Sequence, residues 1–544
     1  MLFPLGHRRV TVETTIKGIG MPIRRAVLFC VLLALPAQAL AADAASQWWA
    51  DVSALADDGM EGRLTGSPGY DRAAQYVIGR LKEEGLKPAG INGYLQPVAL
   101  EQQLVNQDTS HASLSAADGA SIPLKVGEQM LITAGGGPRP ARIDAPLVFI
   151  GYGLHLTKHG HDDFSAPDIK GKIVVVISGG PAQLSGALKS NARFERNTEL
   201  SKQGALGIIA LTTPKQVEIP WQRQRSLARG PGMYLADSNL RDSDKPFFTA
   251  SFDPAQSEIL FKGSGHNFSE LAALADASKP VPRFTLAFRL KADIAASRSR
   301  LSSPNIAAKL EGSDTKLKSE YVALSAHLDH LGIGAAVNGD KINNGAMDDA
   351  SGVATVLDIA HRLKTGPAPR RSILFLFFTA EEKGLLGSSY YARRPTVAKG
   401  SIVADLNFDM PLPLWPLKTV YAPGQDESTL GEDARAVAAS QGLAMVPDPL
   451  PDRNVFIRTD QYSFVREGVP ALVFKFGFAK GTREFDIEHD WRANRYHAPS
   501  DDLSQPLLKE EAVKLDGFVA ALARRVANAD SRPQWLPASI FRKD

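Results

Sequence analysis

Five stretches of the 544-residue sequence bring imidazole or carboxylate groups to places where they could share metal ions. His327 and Asp329 follow the apolar run Tyr321–Ala326. Asp348 and Asp349 lie in a glycine-flanked loop just before a helical stripe. Glu381 and Glu382 follow Ile373–Phe378, Asp409 follows Ser401–Leu406, and His497 stands in a loop before the last helix. Each piece alone has a plainer reading. His-x-Asp after a strand is commonly a satisfied polar pair. Asp-Asp or Glu-Glu at a helix start meets free amides and the positive end of the dipole. Together, however, several acidic residues converging on one sheet edge repel one another unless cations lie between them. Two divalent metals account for the inventory.

The elements that must position these groups are readable from periodicity. Ala73, Val77, Ile78 and Leu81 recur at helical spacing within a helical region over residues 46–90, and Gly85 is a stop signal. Within it, Met60–Tyr70 is a Gly- and Pro-punctuated loop. From about residue 136 to 290, short β-branched runs at Leu147–Ile150, Lys172–Ile177 and Ile208–Leu211 predict strands, with a helix near Thr198–Gln203. His155, His159 and His161 cluster there in a loop, with no carboxylate spacing for a closed metal shell, and read as solvated. From residue 304 onward strands and helices alternate. Val353, Val356, Leu357, Ala360 and Leu363 form an apolar helix stripe. Ile373–Phe378 reads as a strand covered on both faces, Ala471–Phe476 as a further strand, and Leu507–Asn528 as the C-terminal helix. The fold class is therefore α/β, with a mixed, largely parallel central sheet flanked by helices and a separate β-rich segment inserted. In such sheets, sites form outside the carboxyl ends of the strands, where the five stretches fall.

Five strings in order resemble the signature of M28 metallopeptidases: Ala326-His327-Leu328-Asp329-His330, Gly345-Ala346-Met347-Asp348-Asp349-Ala350-Ser351-Gly352, Thr379-Ala380-Glu381-Glu382, Asn407-Phe408-Asp409-Met410 and Tyr496-His497-Ala498-Pro499-Ser500-Asp501. The likeness covers residues 304–528, and Glu61-Gly62-Arg63-Leu64-Thr65-Gly66-Ser67 is similar to the family's N-terminal segment. Gly151-Tyr152-Gly153, Asp168-Ile169-Lys170-Gly171-Lys172 and Gly204-Ala205 resemble a protease-associated (PA) domain.

The resemblance implies a zinc-exopeptidase-like fold and two zinc ions per chain. Asp348 would bridge them, His327 and Asp409 would complete one site, and Glu382 and His497 the other. Asp329 would orient His327 through its other ring nitrogen, and a cis peptide is expected between Asp348 and Asp349. Glu381 would be the general base. Tyr496 is similar to a tyrosine that holds the tetrahedral intermediate in some relatives, and Arg458, in Arg458-Thr459-Asp460, is expected to do similar work. Gln461 departs from the family's frequent histidine, which bears on the substrate pocket rather than on the ligands. The implied activity is an aminopeptidase acting on peptide substrates. A metallocarboxypeptidase on the same scaffold is the first alternative, because Arg453 and Arg458 could read a carboxylate. A glutaminyl cyclase is disfavoured by the insert and the full ligand set, and a non-catalytic binding protein by the retention of every ligand and the base.

Bulk properties set the frame. Hydrophobic content of 44% and charged content of 22% are ordinary for globular chains. A net charge of +3, from 62 basic and 59 acidic residues, gives no case for a nucleic-acid partner. Arg24 and Arg25 precede the apolar run Ala26–Leu35 and two small-x-small sites ending at Ala39 and Ala41, the pattern of a secretory signal peptide. The run is short for a membrane span, so no stable membrane association is expected after cleavage. Cys30, the only cysteine, lies in that run, and Phe29 before it argues against a lipoprotein signal. A cysteine-free mature chain must build zinc sites from His, Asp and Glu. The expected organisation is a signal over 1–41, with Met21 as an alternative start, peptidase segments over 45–135 and 291–530, a PA-like insert over 136–290, and a tail over 531–544. The expected location is periplasmic or secreted.

Overall fold

Two eight-stranded sheets organise the chain, and the first carries all five metal-capable stretches at one edge. The computed structural model describes residues 42–133, 137–453 and 455–542. The expected signal segment therefore lies outside the described residues. Among those residues, no helix is long and apolar enough to cross a membrane.

The first sheet runs in the order Gly232–Leu235, Leu95–Val105, Ala296–Leu310, Ser372–Phe378, Tyr321–His327, Ile402–Phe408 and Ala471–Val473, and Lys87–Pro88 also pairs with Ala296–Leu310. The four strands at the latter end are mutually parallel. The rest are antiparallel, so the sheet is mixed and only its site-bearing half is parallel. Ser372–Phe378 is buried at every residue, as its unbroken apolar run predicts. Phe375 and Phe377 point into the larger core with Leu324, Phe408 and the faces of helices over 42–55, Pro68–Glu83, Ser351–Thr365 and Lys509–Asn528. Leu374, Leu376 and Phe378 face the other way, onto Tyr391 and Phe464 of two short helices, Leu386–Arg393 and Gln461–Arg466. Period-two alternation thus gives a helix–sheet–helix sandwich.

The helix Pro68–Glu83 shows how the sequence sets its bounds. Ser67 accepts a hydrogen bond from the Tyr70 amide at 3.2 Å, and Pro68 occupies the first turn, where its missing amide costs nothing. Its apolar stripe, Ala73, Ala74, Val77, Ile78 and Leu81, is wholly buried.

The second sheet runs Ser121–Leu124, His111–Ala116, Phe284–Asp293, Arg142–Phe149, Ile173–Ile177, Gly207–Leu211, Phe248–Phe252 and Met130–Ile132. Its strands begin at His111, upstream of residue 136, and Gly232–Leu235 leaves it to join the first sheet. Strands such as His-Ala-Ser-Leu-Ser-Ala carry no β-branched residue, so they leave little periodic signal. The histidine loop is a set of local pairs. His155 meets Asp162 at 2.8 Å and His161 meets Asp163 at 3.1 Å, with the His155 ring stacked on Phe164.

Candidate metal centre

Parallel register is what gathers the site. His327 lies opposite Phe378, and Ala326 opposite Phe408, so the chain leaves three adjacent strands at one level. The next residues are Asp329, Glu381 with Glu382, and Asp409. Ala380, Met410 and His497 each take a positive φ, at 56°, 50° and 55°, uncommon for residues with a side chain. Asp348 and Asp349 arrive on a tight turn preceding Ser351–Thr365, and the peptide between them is cis.

Asp348 stands at the centre. Its Oδ1 lies 3.1 Å from His327 Nε2, and its Oδ2 lies 3.2 Å from His497 Nε2. His497 Nε2 is also 3.3 Å from Glu382 Oε2. Two groups of side chains bring ligand atoms within 4.8 Å of one another: His327, Asp348 and Asp409, and His330, Asp348 and Glu382. Both share Asp348. The buried atoms His327 Nε2, Asp409 Oδ1 and His330 Nε2 have no hydrogen-bond partner, although such groups are rarely left unsatisfied. Imidazole nitrogen and carboxylate oxygen in this arrangement fit zinc.

All five expected ligands meet here. His330 joins them: its Nδ1 is 2.7 Å from Glu382 Oε1. It sits inside the quoted His327–His330 string, yet its role was not read from the sequence. The expected part of Asp329 is corrected in detail. His327 Nδ1 faces the main-chain carbonyl of Asp329 at 3.0 Å, not the carboxylate. That carboxylate instead accepts the Glu381 amide at 3.0 Å and the Thr65 hydroxyl at 2.9 Å, so it fixes the segment carrying Glu381.

Three buried residues brace the turn that carries Asp348. Arg63 donates to the carbonyls of Leu328, Leu55, Asn344, Gly345 and Asp348, tying two ligand-bearing segments together. Asp501 accepts the Met347 and Asp348 amides at 2.9 and 3.0 Å. Asp349 accepts the amides of Gly352 and Met410 at 3.0 and 3.1 Å, linking the turn to the strand end that carries Asp409. Gly345 is required by φ of +62°, and a Cβ there would sit 2.7 Å from the His330 ring. Lys475 donates to the Asp409 and Met410 carbonyls and lies 3.8 Å from Asp409 Oδ1.

Electrostatics report the same crowding. Burial opposes ionisation of Asp348, but contacts with His327 and His497 outweigh it and hold its carboxyl well below the usual range. Burial pushes Glu381 and Asp349 well up, reinforced by the charge of Asp409 and opposed by His327. His327 and His497 are raised, because surrounding carboxylates overcome the burial penalty. Carboxylates this dense call for positive charge among them.

Beyond the ligands lies a cleft lined by Glu381, Tyr496, Lys475 and the arginines Arg453, Arg458 and Arg492. Arg458 donates to the Tyr496 hydroxyl at 3.3 Å, so these two sequence-predicted residues act as a pair at the wall of the site. Gln461 is fully buried and donates to the Phe456 carbonyl at 2.7 Å, which places it behind that wall.

Residues 305–521 match the model of Peptidase family M28. A probable leucine aminopeptidase 2 of Aspergillus oryzae is 28% identical over 236 residues, 40% of this chain and 43% of that protein. Carboxypeptidase Q of Bos taurus is 25% identical over 349 residues, 62% of this chain and 59% of that protein. The chain thus spans less than two thirds of the length of either curated relative. An aminopeptidase from Aneurinibacillus sp. strain AM-1 shares the fold, with a TM-score of 0.52 at 19% identity over 92% of this chain and 96% of that one.

Proposed function

We propose that this chain, whose residues 305–521 match the model of Peptidase family M28, is an exported zinc exopeptidase, an aminopeptidase that removes N-terminal residues from peptides. One observation carries the reading. The two oxygens of Asp348 face different histidines, His327 and His497, and each direction has its own second carboxylate, Asp409 or Glu382. That is the arrangement of a bridging ligand between two cations, so we assign two zinc ions per chain. His330, against Glu382, supports the second position.

Zinc bound there supplies Lewis acidity toward a carbonyl oxygen and lowers the pKa of water. The chain's own residues do the rest. Glu381, held through its amide by Asp329, takes a proton from the attacking water and delivers it to the leaving amine. Tyr496, its hydroxyl fixed by Arg458, donates to the oxygen that gains charge as the carbonyl is attacked. Burial holds the Tyr496 hydroxyl above its ordinary pKa, so it stays a donor at neutral pH.

A carboxypeptidase is the second reading, favoured by the arginines in the cleft and by the likeness to a carboxypeptidase. A panel of free, N-blocked and C-blocked peptides separates the two. Cleavage of C-blocked but not N-blocked peptides by zinc-loaded protein is the expected result, and the reverse pattern would make the chain a carboxypeptidase. Export is supported by the Arg24-to-Ala41 pattern, and N-terminal sequencing of the mature protein, expected to begin past Ala39 or Ala41, tests it.

A further inference from the structure

The segment Pro214–Ile219 of the inserted region reaches across to the cleft. Arg223, just beyond it, donates to the main-chain carbonyls of Tyr496 and Ala493 at 2.8 Å each, which latches the insert onto the loop carrying His497. Glu218 then enters the arginine cluster. Its Oε2 is 3.2 Å from Arg458 and 3.9 Å from Arg492, and its Oε1 is 3.8 Å from Arg453.

A second carboxylate in the cluster behaves differently. Glu488, only 2% exposed, holds Arg453 and Arg492 at 2.5 and 3.0 Å, as a permanent structural pair does. Glu218 is 23% exposed, and its partner Arg458 is 43% exposed. Charge-assisted bonds of full strength run at roughly 2.7–2.9 Å, so Glu218 is shared loosely among three guanidinium groups. A single carboxylate held at the rim of a basic wall, beside the reacting centre, imitates a ligand.

We propose that Arg453, Arg458 and Arg492 form a subsite for a carboxylate of the substrate, and that Glu218 is its tethered occupant, displaced when substrate enters. This rests on the exopeptidase reading. The substrates are then short peptides whose free C-terminal carboxylate, or acidic side chain next to the scissile bond, reaches the cluster. The insert acts as a competitor that admits anionic peptides and disfavours neutral ones.

The test compares binding of Leu-Leu, Leu-Leu-amide and Leu-Glu-amide by calorimetry, using zinc-loaded protein made inactive by Glu381→Gln. Adding Glu218→Gln is expected to tighten Leu-Leu about tenfold relative to Leu-Leu-amide, because the internal competitor is gone. Glu218→Asp, which withdraws the carboxylate by one methylene, gives the same sign with a smaller effect. Arg458→Met is expected to erase the preference for the free carboxylate. A gain confined to Leu-Glu-amide identifies the side-chain carboxylate as the ligand. If neither Leu-Leu nor Leu-Glu-amide gains on Leu-Leu-amide in either Glu218 variant, or no probe binds measurably, the proposal is overturned. Failure of the active zinc-loaded enzyme to hydrolyse any peptide overturns the exopeptidase reading instead, and leaves the binding ratio to judge the subsite.

Discussion

Glu381 and Glu382 are neighbours in sequence with different work, and the difference is set by what each touches. Glu382 meets His330 and His497, whereas Glu381 faces the cleft with its amide pinned by Asp329. Glu381→Gln is therefore expected to keep both zinc ions, by metal analysis, and to lower kcat by about 10²–10⁴-fold, the usual contribution of a general base. Loss of metal from that variant would move Glu381 into the ligand set. The five candidate ligands stood out in the sequence because each follows a recognisable strand or precedes a recognisable helix, while their roles came from the resemblance. Arg63 was not, although it lies in the quoted Glu61–Ser67 string. Its partners are five main-chain carbonyls, and backbone acceptors leave no mark on side-chain patterns. Arg63→Lys keeps the charge but loses the planar fork. It is expected to cost about 1–3 kcal/mol in chemical denaturation and to weaken zinc affinity about 10–100-fold, as loss of a bracing contact does.

At the scale of elements, the helix Ser351–Thr365 matters because the Asp348 turn runs directly into it. Its other end packs on Lys509–Asn528, where Asp516 is fully buried with both carboxylate oxygens unpartnered. Burial, joined by the nearby charge of Asp358, holds the Asp516 carboxyl well above the usual range, against the opposing charge of Arg362. The sign follows from linkage. A carboxyl whose folded pKa is raised stabilises the fold fully below its unfolded pKa, and that contribution is lost as pH rises through the folded value. Asp516→Asn is expected to raise Tm at neutral and alkaline pH and to flatten the decline with pH, measured by thermal scans across the range. An unchanged slope would remove Asp516 from the account. The central apolar strands were legible because burial on both faces removes polar residues altogether. Ala296–Leu310 was not, since the half that reads Ala-Ser-Arg-Ser-Arg is exposed and pairs with an equally mixed strand, Leu95–Val105.

At the scale of the molecule, a chain with the single cysteine Cys30 can form no internal disulfide, and bound metal is expected to take up a share of the stabilisation. Free zinc at a thousandfold excess over Kd is worth about 4 kcal/mol, so chelation is expected to lower Tm and readdition of zinc to restore it. The reach of Glu218 and Arg223 to the cleft could not be read from sequence, because nothing in residues 214–223 points to a partner more than 200 residues away. The central claim is that Asp348 joins two metal sites into one. Equilibrium dialysis with elemental analysis tests it most directly. Two zinc ions per chain are expected for the native protein, with both lost or greatly weakened together in Asp348→Asn. One ion per native chain at saturating zinc, or two retained by Asp348→Asn, would contradict it.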